Sequence, residues 1–177
     1  MTVSISRPQK QEEKVLQQFF ETVITHTFKL YGYYENYKED IAREVKRQMT
    51  ALQQDFTTNG TNTHFLIARD DNTIVGTIAY GPVNDDIKQY YKKVVPHIPE
   101  VKSLYILPEY QGQGIGTQLF NEIRKIMQEN GIKEFYLDSG YPKAQEFWKH
   151  KLGDPVHIVH DRWDAGNDYM IWYQRLK

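Results

Sequence analysis

The chain of 177 residues contains no cysteine, so it can build no disulfide, cysteine nucleophile or thiolate metal site. It has no apolar run near the length of a membrane span, and its first residues do not follow the pattern of a secretion signal. Because 22 basic side chains face 23 acidic ones, charge gives no argument for nucleic-acid binding. We therefore expect one soluble, cytoplasmic domain over residues 1–177, with neither a membrane nor a nucleic acid as partner.

What the sequence does have is a strand, a glycine-rich turn and a helix within residues 101–127. Pro108 cannot donate a ladder hydrogen bond, so the strand should end near Leu107. Apolar residues then recur at helical spacing after the turn. Glycines let backbone N–H groups approach a ligand closely, and N–H groups at a helix start bind anions. The turn therefore predicts a phosphate site over residues 112–117, which include Gly112, Gly114 and Gly116.

Two other phosphate-binding patterns fit this turn poorly. A P-loop would need a lysine followed by serine or threonine after the glycines, and that pair is missing. The dinucleotide fingerprint would place glycine or alanine where Thr117 stands. Binding of a dinucleotide or a nucleoside triphosphate is therefore the weaker alternative for this turn.

The longer string around the turn is more specific. The order Leu104-x-Ile106-x-Pro108-x-Tyr110, followed by Gln111-x-x-Gly114-x-Gly116, resembles the signature of the Gcn5-related N-acetyltransferase (GNAT) family. The resemblance implies that the turn holds the pyrophosphate of acetyl-coenzyme A (acetyl-CoA), and that the preceding strand pairs with its pantetheine arm. The implied cofactor-binding residues are Leu104, Tyr105, Ile106, Gln111, Gly112, Gln113, Gly114, Ile115, Gly116, Thr117 and Trp148.

The rest of the chain alternates predicted helices with hairpin-linked strands. Strands are predicted before Pro8 and over 63–69, 73–80, 133–139, 156–162 and 168–174, with a short helix near 87–95. Helical patterns also cover residues 15–28, 41–56 and 144–152. This order favours an α/β fold. The resemblance implies the GNAT-type α/β/α sandwich, with a mixed, mostly antiparallel sheet that splays between its fourth and fifth strands.

Acetyl transfer to an amine requires a base for the ammonium proton and an exit for the thiolate. Glu100 opens the fourth strand, where histone-modifying members of the family place a catalytic glutamate. The alternative is a solvated residue at a strand end with no catalytic role. Many members carry a tyrosine acid where this chain has Trp148. Either Tyr141 supplies the proton instead, or no acid is used, since a free thiol has a pKa of about 8.5.

Two further groups of residues have a functional and a plain interpretation. A tyrosine cluster either fills the gap between two helices or forms one wall of the acceptor pocket; it comprises Tyr31, Tyr33, Tyr34 and Tyr37. Three lysines either reach the ribose phosphate of coenzyme A or lie on a solvated helix face; they are Lys143, Lys149 and Lys151.

The resulting hypothesis is an acetyl-CoA-dependent N-acetyltransferase that needs no metal. The resemblance implies direct attack, in a ternary complex, by a primary amine of a small molecule or a peptide. In many members an asparagine that touches the pantetheine stands where this chain has Tyr141. Together with Trp148 in place of the tyrosine acid, this motivates an alternative, a catalytically weak acyl-CoA-binding sensor or regulatory module. The identity of the amine and the existence of a homodimer stay open.

Overall fold

The computed structural model describes residues 2–32 and 37–177. Within them, seven strands form one sheet in the order β1-β2-β3-β4-β5-β7-β6. The strands are β1 Ser4–Ser6, β2 His64–Asp70, β3 Thr73–Gly81, β4 Glu100–Ile106, β5 Glu134–Ser139, β6 His157–Val159 and β7 Tyr169–Arg175. The helices are α1 Glu13–Leu30, α2 Lys38–Thr58, α3 Asp85–Tyr90, α4 Ile115–Glu129 and α5 Pro142–Leu152.

The pairing of the strands confirms the predicted mixed, mostly antiparallel sheet. The antiparallel pairs include β1 with β2, β2 with β3, β5 with β7, and β6 with β7. Strands β4 and β5 are parallel, with Glu100 opposite Tyr136 near the start of β4. No helix among the described residues combines the length and the apolar character needed to cross a membrane.

The chain divides into two compact units, Met1–Tyr80 with Ser103–Lys125, and Gly81–Lys102 with Ile126–Lys177. The core of the first unit lies where α1 and α2 present their apolar stripes to β2 and β3. Phe20 is fully buried there and meets Phe65 and Tyr105 edge-on, with ring centroids 6.4 and 5.9 Å away. Aliphatic and aromatic side chains at helical and strand spacing therefore form this core.

The second unit has its own core, in which tyrosines pack with valines and isoleucines. Tyr136 is 1% exposed, and its hydroxyl accepts a hydrogen bond of 3.0 Å from the backbone N–H of Val95. At the end of β5, Gly140 packs directly on the indole of Trp163. A Cβ at position 140 would lie 2.4 Å from the nearest indole carbon, so the close approach requires glycine.

One strand is shorter than predicted. The alternation over residues 156–162 predicts a strand to 162, whereas β6 ends at Val159. The chain turns at Asp161, which has a left-handed φ of +52°. Its N–H donates to the carboxylate of Asp168, and its own carboxylate accepts from the N–H of Gly166. These bonds between side chains and backbone favour a turn over a ladder.

A partly buried ion pair joins the start of the chain to the end of α2. Asp55 is fully buried and accepts hydrogen bonds from the guanidinium of Arg7 and from the backbone N–H of Phe65, both at 2.9 Å. Nearby, the ring of His64 stacks on Tyr80, and its Nδ1 lies 3.1 Å from the carbonyl oxygen of Gly60. The Nε2 atom of His64 is buried without a hydrogen-bond partner among the described residues.

Burial lowers the pKa of His64 from its ordinary value of 6.5. The unfolded chain therefore binds this proton more readily, and the stability contributed by neutral His64 is lost as pH falls through the region below 6.5. We predict that His64→Gln removes this contribution, so that lowering the pH from about 7 to about 5 changes the free energy of unfolding less unfavourably in the variant than in the wild type. Urea denaturation across this range measures it, with exposed His26→Gln as the control. Identical slopes for wild type and His64→Gln would contradict the prediction.

Candidate functional site

The glycine-rich turn lies in the first unit, between β4 and α4. Pro108–Tyr110 forms a single 3₁₀ turn, and α4 begins at Ile115. Gly112 and Gly114 between them have left-handed φ values of +76° and +82°. No atom lies within 4 Å of where a Cβ would stand at either position. Glycine is therefore required here by the backbone conformation and not by crowding from the protein.

Two glutamine side chains fix the shape of this turn. The Nε2 of Gln111 donates to the carbonyl of Ile106 at 3.2 Å, and the Nε2 of Gln113 donates to the carbonyl of Glu109 at 3.0 Å. The backbone N–H groups of residues 115–117 open α4, where a helix has no carbonyl of its own to satisfy them. With the positive end of the helix dipole, they form an anion-binding surface.

The backbone of β4 just before the turn departs from a regular strand. Ser103 has a φ of +59°, a left-handed conformation that costs a residue other than glycine about 1–2 kcal/mol. Its Oγ donates to Gln48 Oε1 at 2.6 Å, and its carbonyl accepts from the hydroxyl of Thr77 at 2.7 Å. Glu44 in turn accepts from Gln48 and from the Tyr105 hydroxyl, at 2.7 and 3.1 Å. We call these five residues the Ser103 network.

The predicted cofactor-binding residues of β4 place their side chains among protein atoms. The ring of Tyr105 lies against Phe20, and the Cδ1 of Ile106 would be 2.7 Å from a Cβ at Gly76. The N–H of Leu107 donates to the carbonyl of Val75. Leu104, Tyr105 and Ile106 are each half-buried.

Glu100, the predicted base, lies in the second unit and is 2% exposed. Its carboxylate accepts from the backbone N–H and from the Nδ2 of Asn84, both at 2.8 Å, and lies 3.2 Å from the ammonium of Lys102. The same Nδ2 donates to Asp138 at 2.8 Å, and the hydroxyl of Tyr169 donates to Asp138 at 2.7 Å. One amide thus bridges two carboxylates.

Burial, followed by the charge of Asp138, raises the pKa of Glu100 to about 7. Lys102 and the N–H of Asn84 oppose the shift without cancelling it. Burial, followed by Asp138, likewise raises the pKa of Tyr169. Glu100 therefore exchanges its proton near neutral pH, where a general base is most effective.

The other predicted residues are dispersed in the second unit and around the first two helices. Tyr141 precedes α5, and its carbonyl accepts from Gln145. Trp148 is 4% exposed and meets Phe147 edge-on at 4.8 Å. In the first unit, Tyr37 packs near Phe28, with ring centroids 6.4 Å apart. Tyr33 and Tyr34 lie outside the described residues.

Sequence reasoning missed Asn84 and the residues around Ser103. Asn84 had a signal, because asparagine before Asp85 and Asp86 is a helix N-cap pattern, and its side chain does accept from the N–H of Ile87. Gln48 also had one, since it interrupts the apolar face of α2. The left-handed Ser103 had none, because serine does not prefer that conformation.

The sequence model of the Acetyltransferase (GNAT) family matches residues 29–153. The chain therefore belongs to the GNAT family. A comparison with curated proteins found no match. Among the described residues, no group of three or more histidine or acidic side chains is arranged to hold a metal ion.

Solved structures of the same fold are similar over nearly the whole chain. A GNAT-family protein from Desulfovibrio desulfuricans is 15% identical, with a TM-score of 0.73 over 99% of this chain and 100% of that one. The PaiA N-acetyltransferase of Thermoplasma acidophilum, in complex with coenzyme A, is 20% identical, with a TM-score of 0.65 over 99% of both chains. YncA of Salmonella typhimurium, with acetyl-CoA, is 12% identical, with a TM-score of 0.68 over 100% of this chain and 95% of that one.

The raised pKa of Glu100 predicts a specific pH dependence of stability. The folded chain holds this proton up to a pH of about 7, whereas the unfolded carboxyl releases it near 4.5. The contribution of Glu100 to the free energy of unfolding should therefore fall as pH rises through that window, opposite in sign to the contribution of His64. Glu100→Gln should remove this fall, as measured by urea denaturation between pH 4.5 and pH 8. The exposed Glu129→Gln is the control, and a wild-type slope in Glu100→Gln would refute the assignment.

Proposed function

We propose that this protein transfers the acetyl group of acetyl-CoA to a primary amine. The observation that carries the proposal is the turn at residues 112–114, where two left-handed glycines with open space around them precede α4 in a GNAT-family chain. Such a turn suits a diphosphate, because backbone N–H groups and the helix dipole attract its charge. Coenzyme A or acetyl-CoA in two structures of this fold gives further support.

The pyrophosphate would be held by the backbone of residues 112–117, since the side chains of Gln111 and Gln113 are neutral and already bonded within the turn. The pantetheine arm would pair with the backbone of Leu104, Tyr105 and Ile106, the edge implied by the family resemblance. Few side-chain charges then contact the phosphates, so the affinity for coenzyme A should depend weakly on salt.

In the proposed reaction the neutral amine attacks the thioester carbonyl carbon, the C–S bond breaks, the coenzyme A thiolate leaves, and the new amide nitrogen releases its extra proton to solvent. The amine must first lose its ammonium proton, and we assign that proton to Glu100. With 2% exposure, Glu100 would receive it through an intervening water and not by direct contact. The thiolate can take its proton from solvent, so Tyr141 is not required as an acid.

A change at the turn tests the phosphate site. Gly114→Asp places a carboxylate, and a β-carbon at a φ of +82°, where the diphosphate is proposed to bind. We expect the Kd for coenzyme A to rise beyond about 1 mM in isothermal titration calorimetry. Gly131→Asp is the matched control, because Gly131 also has a left-handed φ, of +74°, and open space around it. Equal Kd values for wild type and Gly114→Asp would place the phosphates elsewhere.

The pH dependence of turnover tests Glu100 as the base. A base works in its ionised form, so wild-type kcat/KM should rise with pH to a plateau above a pKa of about 7. Glu100→Gln should lack this rise and be about 100-fold slower at pH 8. Turnover is measured on a panel of amines with a dye that detects the thiol of released coenzyme A. Because the protein contains no cysteine, it adds no background to this signal.

The result of that panel also separates the two hypotheses for this fold. Parallel pH profiles for the wild type and Glu100→Gln would remove Glu100 from the mechanism and leave it a structural role. Tight binding of acetyl-CoA without thiol release for any amine would instead favour a sensor or regulatory module, the role suggested by Trp148 in place of the family's tyrosine.

A further inference from the structure

Ser103 is held in a conformation that it does not prefer. Its φ of +59° falls within β4, and residues other than glycine persist in this region only where their surroundings impose it. The residue is 9% exposed, so water does not provide the opposing contacts. The contacts that hold this conformation are therefore made by the protein groups that bond to Ser103.

Those groups come from two different elements, and one bonds to the side chain of Ser103 while the other bonds to its backbone carbonyl. Gln48 of α2 accepts from the side chain at 2.6 Å, and Thr77 of β3 donates to the carbonyl at 2.7 Å. Gln48 and Thr77 are 7% and 0% exposed. Hydrogen bonds in such a setting are strong, and breaking one leaves a buried polar group unpaired. Together they hold both the position and the rotation of the peptide that follows Ser103.

That peptide begins the segment whose backbone is proposed to pair with pantetheine, Leu104 to Ile106. A change of φ at Ser103 would rotate the N–H and C=O groups of this segment away from the ligand. We infer that Gln48 and Thr77 are positioning residues, which set the direction of β4 so that its backbone can receive the pantetheine arm. This inference rests on the proposed function, because it concerns the same cosubstrate.

The inference predicts a loss confined to ligands that carry pantetheine. Two ligands are compared by calorimetry: coenzyme A, and adenosine 3′-phosphate 5′-diphosphate, which has its phosphates but no pantetheine. Gln48→Leu and Thr77→Val should each raise the Kd for coenzyme A about tenfold, while the Kd for the fragment stays unchanged. Thr63→Val is the matched control, because Thr63 is 1% exposed and its hydroxyl bonds to Gln54 instead.

Two changes at Ser103 separate the backbone conformation from the lost bond. Ser103→Ala and Ser103→Gly both remove the hydroxyl, but only glycine adopts a positive φ without strain. Ser103→Gly should therefore bind coenzyme A more tightly than Ser103→Ala. Equal affinities of the two variants would show that the left-handed backbone has no part in binding.

Each outcome of the ligand comparison bears on one proposal. An unchanged Kd for coenzyme A in Gln48→Leu and Thr77→Val would overturn the positioning role, as would an equal loss for coenzyme A and the fragment. A wild-type protein that binds coenzyme A no more tightly than the fragment would instead contradict the proposed pantetheine edge. Thermal denaturation confirms that each variant is folded before its Kd is interpreted.

Discussion

The conformation of β4 depends on polar contacts made in an apolar interior. Inside the first unit, the strand crosses a core of aromatic and aliphatic side chains, yet Gln48 and Thr77 are buried in contact with Ser103. Burying such groups is costly unless every bond is made, so they tolerate little rearrangement. Apolar contacts are non-directional and tolerate a shift along the strand. These hydrogen bonds are directional and favour one orientation of the backbone. The strand therefore reaches the glycine turn with a defined orientation.

The second unit uses the same principle with charged groups. The side-chain amide nitrogen of Asn84 donates to Glu100 and to Asp138, and its amide oxygen caps α3. One residue therefore positions two carboxylates and a helix. The arrangement keeps a carboxyl away from water at the start of β4 and moves its titration to neutral pH. Keeping such an acid buried costs folding free energy, and perturbed carboxyls of this kind cluster at functional sites, which supports the role proposed for Glu100.

Local pattern was sufficient for most of the fold. The proline at 108, the glycines of the turn and the helical spacing after them predicted β4, the turn and α4, and the structure places these elements there. Contacts between distant segments were not accessible in this way. The bond from Gln48 to Ser103 joins residues 55 positions apart, and the bridge from Asn84 to Asp138 joins residues 54 apart. Local pattern predicts the strand that begins at Glu100. It does not predict that the side chain is buried, and therefore does not predict its raised pKa.

The packing of Gly140 on Trp163 restricts how the loop after β6 can change. With 2.4 Å between the indole and any added methyl group, even alanine at position 140 requires the ring to leave. Trp163 is still 49% exposed, so a smaller side chain there would lose little burial and would open the space that a bulkier residue 140 needs. Among relatives that keep this loop, the two positions should covary, with large aromatic rings at 163 accompanied by glycine at 140.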